Sequence, residues 1–420
     1  MKLRAGMREF AWILLATCAA STPVRAQAIA ITGGTVYPVS GPKIENGTVI
    51  LRDGKVVAVG KGLAVPAGAT QVDATGKWVT PGLFHAATTL GLVEVSAIDG
   101  TTETSDTGDV NAAFNVSEGI NPASVLIPIM RLEGLTTAVT LPSGGLISGQ
   151  GVLIDLNGER IEDLIARSPV AMVINMDEGA KGAGGGSRAG IMARLRRVFH
   201  DAQEYERRAP DYRRAQMQPL AARAADLEAL APVLHGTLPV IVTANRRSDI
   251  DNALRLASEF HLRLIIRGGV EAWQAAAELA EAHVPVAIDP MANLPSFNGL
   301  GARLDNATLL RKAGVEVLLA EEDTYNYRNI RFMGGNAVRN GLTWDDALRS
   351  ITLAPALAFG VGDHYGSLEA GKVANVVVWS GDPLDFASHA EHVYIRGVEM
   401  PHTSRQTELL GRYRTLPPQY

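Results

Sequence analysis

The sequence predicts an α/β protein in which a (β/α)8 TIM-like barrel is joined to a small β-sandwich formed by both chain ends. From about residue 81 to residue 360, short apolar runs alternate with Ala-rich amphipathic segments, which is typical of repeated β-α units. This stretch of about 280 residues is close to the ~250 residues of a (β/α)8 barrel. The flanking segments are rich in strand and turn residues. A doubly wound open sheet is the alternative, although no GxGxxG turn follows the first strand.

The composition is that of a globular protein with one or two sizeable cores. Of the 420 residues, 46% are hydrophobic, 20% are charged and 5% are aromatic, and the formal net charge is −5. These values exclude a disordered, collagenous or disulfide-stapled protein. They also do not favour nucleic acid or an anionic membrane as a partner. We therefore expect a small-molecule ligand or substrate, or another protein, as the partner.

The first 26 residues have the pattern of a cleavable signal peptide. Lys2, Arg4 and Arg8 precede an apolar core over residues 10–20, and a small-residue cleavage site follows at residues 24–26. The core is about half of the ~20 apolar residues that a membrane span needs. The pattern predicts a periplasmic or secreted protein with no membrane span. The alternative is a lipoprotein signal ending at Cys18, to which the Thr directly before the cysteine is a poor fit.

Cys18 is the single cysteine of the chain, and it would leave with the signal peptide. A mature chain without cysteine has no thiolate nucleophile and no Cys-based zinc site. The remaining chain is predicted to divide into three parts. Residues 27–80 form the first part of the β-sandwich, residues 81–360 form the barrel, and residues 361–420 form the second part of the sandwich and a C-terminal tail.

Both parts of the predicted sandwich consist of short strands. In the first part, apolar runs occur at residues 29–31, 35–37, 48–51 and 56–59. Asp53 and Gly54 lie between the last two runs, and this pair favours the type I′ turn of a tight hairpin. In the second part, residues 374–379 and 393–395 are predicted strands, and Gly397 follows the second.

The barrel segment contains six clear strand candidates and three clear helix candidates. The strands are predicted to run parallel, over residues 138–141, 170–174, 239–242, 262–266, 285–288 and 315–319. The helices are predicted over residues 248–260, 271–282 and 344–352. A Gly-rich segment at residues 179–190 leads into an Arg-rich stretch, which we interpret as a charged helix on the barrel surface because acids interleave with the arginines.

Several motifs then resemble a known family. They are ATGKWVTPGL at residues 74–83, EGLTT at residues 133–137, GQG at residues 149–151, residues 341–352, residues 355–356 and GSLEAGK at residues 366–372. In this order they resemble the amidohydrolase superfamily, and in particular its secreted imidazolonepropionase-like branch. The resemblance implies a barrel flanked by a β-sandwich of both chain ends. It also implies metal-assisted hydrolysis of C–N bonds other than peptide bonds, in which a divalent ion activates a bound water.

The resemblance implies metal ligands at positions where this chain has other residues. The family has a His-x-His pair after the first barrel strand, a Lys or Glu, two later His and a final Asp. This chain has Ala87 and Thr89 at the His pair, Asp155 at the Lys position, and Thr243 and Gly268 where the later His are expected. We therefore expect no metal centre and no cofactor. A divalent metal such as zinc would bind only if other positions rebuilt a site.

A few polar residues remain as candidates for chemistry or binding. The final family Asp matches Glu322 or Asp323, two catalytic candidates between which the sequence does not choose. Thr243, Asn245 and Arg246 follow a predicted barrel strand, so they are candidate ligand-binding residues. Asp249 and Glu271 are better explained as acids in the first turns of helices.

Three functions are consistent with these residues. The first is a C–N hydrolase, as the family implies, that works without the usual metal centre. The second is a catalytically inactive pseudo-amidohydrolase that binds a small molecule outside the cytoplasm. The third is a partner subunit that associates with an intact amidohydrolase or forms a homo-oligomer. The missing His ligands favour the second and third functions over a conventional metallohydrolase.

Overall fold

A computed structural model describes residues 28–292 and 294–415. The predicted signal peptide, residues 1–26, lies outside the described residues. No helix in the described ranges is long and apolar enough to cross a membrane. Sixteen strands lie in these ranges: β1 Ile29–Val36, β2 Ile44–Arg52, β3 Lys55–Lys61, β4 Thr70–Asp73, β5 Trp78–Pro81, β6 Leu83–Thr88, β7 Leu135–Thr140, β8 Ile147–Asp155, β9 Ile165–Asn175, β10 Val240–Ala244, β11 Leu264–Gly268, β12 Val286–Ile288, β13 Val317–Leu319, β14 Val376–Trp379, β15 Ala390–Ile395 and β16 Val398–Glu399.

The helices of the described chain fall mainly between the strands of the barrel. They are α1 Leu126–Arg131, α2 Ile161–Leu164, α3 Arg188–Arg213, α4 Ala224–Ala229, α5 Ala231–Leu234, α6 Arg247–Phe260, α7 Ala276–Glu281, α8 Asn306–Lys312, α9 Ile330–Arg339, α10 Trp344–Ser350, α11 Leu353–Ala358 and α12 Arg405–Tyr413. The Arg-rich stretch forms α3, which starts where the Ser187 side chain accepts a hydrogen bond from the Gly190 N–H. Helices also occupy the three predicted segments, as α6, α7 and α10.

The two chain ends form one continuous sheet. Its strands lie in the order β16-β15-β14-β5-β1-β2-β3, and β4 pairs with β1. The hairpin between β2 and β3 is confirmed, because Asp53 and Gly54 have φ values of 51° and 73°, as a type I′ turn requires. The division into two sandwich layers stays a prediction.

A second eight-stranded sheet forms the barrel, in the order β6 to β13. The six predicted strands, now β7 and β9 to β13, run parallel to one another as expected. The sequence did not predict β8, and this strand pairs antiparallel with both β7 and β9. The connection is the physical reason: β7 ends at residue 140 and β8 begins at residue 147. So few residues allow a direct return but not the crossover of a dozen or more residues that parallel strands need.

Alternate side chains of the barrel strands pack on opposite faces. Each of the eight strands contributes to one buried apolar cluster inside the barrel, which includes Val139, Val173, Ile241, Ile265 and Leu318. The neighbouring side chains pack outwards with the helices in a larger cluster. The interior of the barrel is therefore a filled core, and a ligand can bind only at one of its two ends.

The barrel and the two-ended sheet meet at a buried carboxylate. Asp155, fully buried at the end of β8, accepts hydrogen bonds from the Thr137 Oγ1 at 3.1 Å, the Asn375 Nδ2 at 2.9 Å and the Tyr365 Oη at 3.0 Å. The Arg396 Nε donates to the same carboxylate at 2.7 Å. Asp155 occupies a position where the family resemblance implies a metal ligand. The reversed direction of β8 instead puts it beside Thr137, near the amino end of β7, far from the barrel mouth.

Replacing Asp155 should destabilise the protein strongly. In Asp155→Ala the Arg396 guanidinium loses its buried partner, so the free energy of unfolding should fall by about 3 kcal/mol. Urea denaturation followed by circular dichroism measures this change. Asp363→Ala is the control, because Asp363 is exposed and its loss should change stability by less than about 0.5 kcal/mol. Equal stability of both variants would contradict a structural role for Asp155.

Candidate ligand site at the carboxyl end of the barrel

The inner face of the barrel becomes polar at its carboxyl end, which we call the barrel mouth. Two residues beyond the buried Ile241 and Ile265 lie Thr243 and Arg267, on the same inner face of β10 and β11. The strand register places Thr243 directly beside Arg267. On the next strand, Asp289 lies two residues beyond the inward-facing Ala287. Polar side chains from three neighbouring strands therefore converge at the mouth.

Arg267 is the cation of this group. Its Nε lies 3.9 Å from the Glu322 Oε1, and 26% of its side chain is exposed. The guanidinium makes no hydrogen bond with any residue that the structure describes. Sequence reasoning missed Arg267 because it looked for a histidine at Gly268. The alternation of side chains, which puts Arg267 and not Gly268 inside, was the signal that could have found it.

Asp289 is an acid at the mouth whose carboxyl pKa is strongly raised. Burial is the main cause that raises the pKa of its carboxyl to about 6, and the negative charges of Glu321 and Glu322 add to the shift. Its Oδ1 accepts a hydrogen bond from the Met291 N–H at 2.7 Å. Sequence reasoning missed Asp289 too, although it follows a predicted strand directly, as Thr243 does.

A further acid, Asp177, lies just beyond β9. Burial raises the pKa of its carboxyl, and the negative charges of Asp249 and Glu322 raise it further. Its Oδ1 accepts a hydrogen bond from the Gly179 N–H at 3.1 Å. Since Asp177 and Asp289 both sense the charge of Glu322, the acids share one electrostatic environment across the mouth.

The two catalytic candidates, Glu322 and Asp323, differ in what their side chains contact. The Asp323 carboxylate accepts hydrogen bonds from the Tyr325 N–H at 3.0 Å and the Asn326 Nδ2 at 3.0 Å, so both of its oxygens hold the local turn. The side chain of Glu322 is 55% exposed and forms the ion pair with Arg267. Of the two residues, Glu322 is therefore the one that contacts the inner face of the mouth.

Of the three predicted ligand-binding residues, Thr243 lies in the inner row at the mouth and the other two lie outside this row. The Asn245 side chain packs over Gly268, the last residue of β11, where an added Cβ would clash with the Asn245 Oδ1. The Arg246 guanidinium donates a hydrogen bond to the carbonyl of Phe297. Asn245 therefore contacts the end of β11 and Arg246 contacts a loop, and neither residue shares the row that joins Thr243 to Arg267.

Asp249 and Glu271 also have structural partners. Asp249 is buried, and its Oδ1 accepts a hydrogen bond from the Arg188 Nε at 2.6 Å. The Glu271 carboxylate accepts hydrogen bonds from the Arg247 N–H at 2.9 Å and the Gly301 N–H at 2.8 Å. Both acids therefore hold the segments that follow barrel strands, and Asp249 in addition ties α6 to α3.

Comparison with known proteins supports one family. The family model described as "Amidohydrolase family" matches residues 304–401. The chain is 24% identical over 388 residues to the amidohydrolase tasK of Hapsidospora irregularis, a match that covers 84% of this chain but 39% of that protein. It is 25% identical to the imidazolonepropionase of a Methylobacterium species over 86% of this chain and 92% of that one. A crystal structure of an amidohydrolase from Thermotoga maritima matches with a TM-score of 0.82 at 28% identity, covering 89% of this chain and all of that one.

Over most of its length this chain is similar to amidohydrolases, and residues 304–401 match the amidohydrolase family model. Its TIM-barrel-like fold is the one that these relatives imply, with the second sheet beside it. The chain spans well under half the length of the tasK amidohydrolase that it matches.

The residues at the expected amidohydrolase ligand positions do not fit a metal. Ala87 and Gly268 offer no donor atom, and the Thr89 hydroxyl lies 3.0 Å from the Thr324 hydroxyl and 3.2 Å from the Tyr327 hydroxyl. Asp155 lies at the opposite end of the barrel. Among residues 28–292 and 294–415, no group of three or more His, Cys, Asp or Glu side chains has an arrangement that could hold a metal ion.

His85, which precedes the expected ligand pair, has a structural role. It is fully buried, and its Nε2 accepts a hydrogen bond from the Glu321 N–H at 3.1 Å. Its ring also packs edge-on against Tyr327, with 4.9 Å between the ring centroids. The imidazole thus joins β6 to the segment after β13, where the two end strands of the barrel sheet come close together. Burial and the nearby Arg267 charge lower the pKa of His85 to about 3, which keeps the ring neutral.

The buried neutral His85 should make stability depend on pH. Below about pH 6.5 the unfolded chain binds a proton at His85 that the folded protein does not bind until about pH 3. Between these values the free energy of unfolding should therefore fall as pH falls, by up to about 1.4 kcal/mol per pH unit. Urea denaturation between pH 5 and 7 checks this for the native protein against His85→Gln, which can still accept the Glu321 hydrogen bond. A difference between the two proteins that is independent of pH would contradict the account.

Proposed function

We propose that this protein is a member of the amidohydrolase superfamily that binds a small polar molecule at the barrel mouth and lacks the usual metal centre of the family. The observation that carries the proposal is the set of side chains at the expected ligand positions. Methyl and hydroxyl groups and a hydrogen atom stand at Ala87, Thr89, Thr243 and Gly268, where the resemblance implies imidazole groups. The mouth nevertheless keeps an arginine and acidic groups on rigid strand ends, which suits recognition of a polar ligand.

Elemental analysis tests the lack of a metal centre. After incubation with zinc or manganese and gel filtration, the protein should contain far less than one ion per chain, because single carboxylates near a cation bind these metals weakly. A double variant with Ala87→His and Thr89→His is the control, and it should also stay nearly empty because Thr243 and Gly268 still lack imidazoles. About one or two tightly bound ions per native chain would overturn the proposal.

A second candidate function is hydrolysis of a C–N bond without a metal ion. The raised pKa of Asp289, about 6, favours it, because such a carboxyl can gain or lose a proton near neutral pH. Asp289 would take a proton from the attacking water as its oxygen bonds to the carbonyl carbon, and would return that proton to the nitrogen as the C–N bond breaks. Glu322 would then hold Arg267 in place beside the substrate.

The pH profile of any hydrolysis tests the role of Asp289. Cyclic amides and N-acyl amino acids are suitable substrates for a first screen. The base is the ionised carboxylate, so the rate should rise with pH and level off above about pH 6. Asp289→Asn should abolish most of the activity at every pH, whereas Asp323→Asn should keep the native profile. Absence of turnover for the whole screen would reject this second candidate and leave ligand binding as the function.

The proposal also covers where the protein acts and which partner it could associate with. We propose that the protein is exported by the signal peptide at residues 1–26 and acts in the periplasm or outside the cell. A role as a partner of an intact amidohydrolase is the remaining alternative. Copurification of such a subunit, together with a mouth that binds no small molecule, would favour that alternative.

A further inference from the structure

Arg267 is the group at the mouth whose hydrogen-bonding capacity is least used. About three quarters of its side chain is buried, since 26% is exposed. A guanidinium has five N–H donors. None of them makes a hydrogen bond with a described residue, and the Glu322 carboxylate at 3.9 Å is too distant for one. A largely buried arginine in this state has donors available for an acceptor supplied by a ligand.

The neighbours of Arg267 limit the chemistry of that ligand. Thr243 lies beside it in register, and the Thr243 hydroxyl likewise makes no hydrogen bond with a described residue. Asp289 lies on the adjacent strand, two residues above the Ala287 that pairs with Arg267. The backbone positions of Arg267 and Asp289 are therefore about 8 Å apart, from a strand spacing of about 4.8 Å and a rise of about 3.3 Å per residue.

The charges at the mouth further limit which class of ligand can bind there. Besides the single cation Arg267, the mouth contains the carboxyl groups of Glu322, Asp289 and Asp177, so a dianion such as a phosphate ester would be repelled. A carboxylate carries a single charge, and its two oxygens match the planar guanidinium. The same acids would attract a hydrogen-bond donor on another part of the ligand.

We propose that the ligand is a small carboxylate that Arg267 binds through its guanidinium, with an amide N–H or ammonium group of the ligand donating to Asp289. The Thr243 hydroxyl supplies a further hydrogen bond to the carboxylate. The inference rests on the proposed function, because it assigns the class of molecule that the mouth binds. It makes Arg267 the residue that determines specificity for the carboxylate.

Matched pairs of ligands test the assignment. Each N-acetyl-L-amino acid in a panel is compared with its carboxamide by isothermal titration calorimetry on the full protein. For at least one pair the native protein should prefer the acid by roughly 10- to 100-fold, the usual effect of a hydrogen bond to a charged group. Arg267→Gln should remove this preference. Arg267→Lys should keep part of it, because lysine retains the charge but not the paired donors.

Arg263→Gln is the control variant. Arg263 is exposed and directly precedes β11, so it belongs to the same segment but lies at the opposite end of the barrel. This variant should keep the native preference for the acid. In the native protein, the Arg267 Nε–H signal in an NMR spectrum should shift on addition of the acid and not of the amide, which provides a test that does not depend on the folding of a variant.

Failure of this inference is distinguishable from failure of the proposed function. Binding of amides or amines that is as tight as binding of the acids, or acid binding that survives Arg267→Gln, would overturn the carboxylate assignment and leave the mouth as a ligand site. Absence of binding for every acid and amide would also overturn the assignment. A thermal-shift screen with amines, sugars and nucleosides then tests the mouth separately, and no hit there would overturn the proposed function as well.

Discussion

The alternation of side chains along the barrel strands is the constraint on which the rest of the structure depends. Successive residues of a strand point to opposite faces, so an inward-facing row must be apolar wherever the barrel is filled. Ile241, Ile265, Ala287 and Leu318 form such a row. Polar groups on the same face can then occur only beyond it, where the strands reach water. This is why Thr243, Arg267 and Asp289 share one end of the barrel although they are far apart in the sequence.

The electrostatics of the mouth follow from the short distances between these polar groups. Acids from the ends of three strands share a partly buried space with one arginine, so their negative charges disfavour one another's ionisation. The raised pKa of Asp289 and that of Asp177 are two consequences of this arrangement. The neutral state of His85 is the complementary case, since a buried imidazole beside a guanidinium loses its affinity for a proton. The mouth therefore combines an available cation with carboxyl groups of altered acidity.

The opposite end of the barrel has a different role. There the buried Asp155 carboxylate forms an ion pair with the partly exposed Arg396 and accepts hydrogen bonds from Thr137, Tyr365 and Asn375. Removing one partner of such a pair is costly, because it leaves the other charge without its partner. The pair joins β8 of the barrel to the sheet that both chain ends build. The chain thus has a hydrogen-bonded polar cluster around Asp155 that holds the fold together, and a polar group at the mouth in which the Arg267 and Thr243 side chains make no hydrogen bond with a described residue.

The sequence by itself determined much of the architecture, because local residue patterns predict where strands and turns form. Apolar runs at the right lengths predicted six barrel strands, and Asp53-Gly54 predicted the hairpin, since few other residues adopt two positive φ values at low cost. The residues of the site depended on tertiary structure instead. Whether Arg267 or Gly268 faces inwards, and whether Asp155 lies at the mouth, depends on strand register and direction, which are set by pairing with distant segments. The pKa of Asp289 likewise depends on charges more than thirty residues away that only the folded barrel brings near.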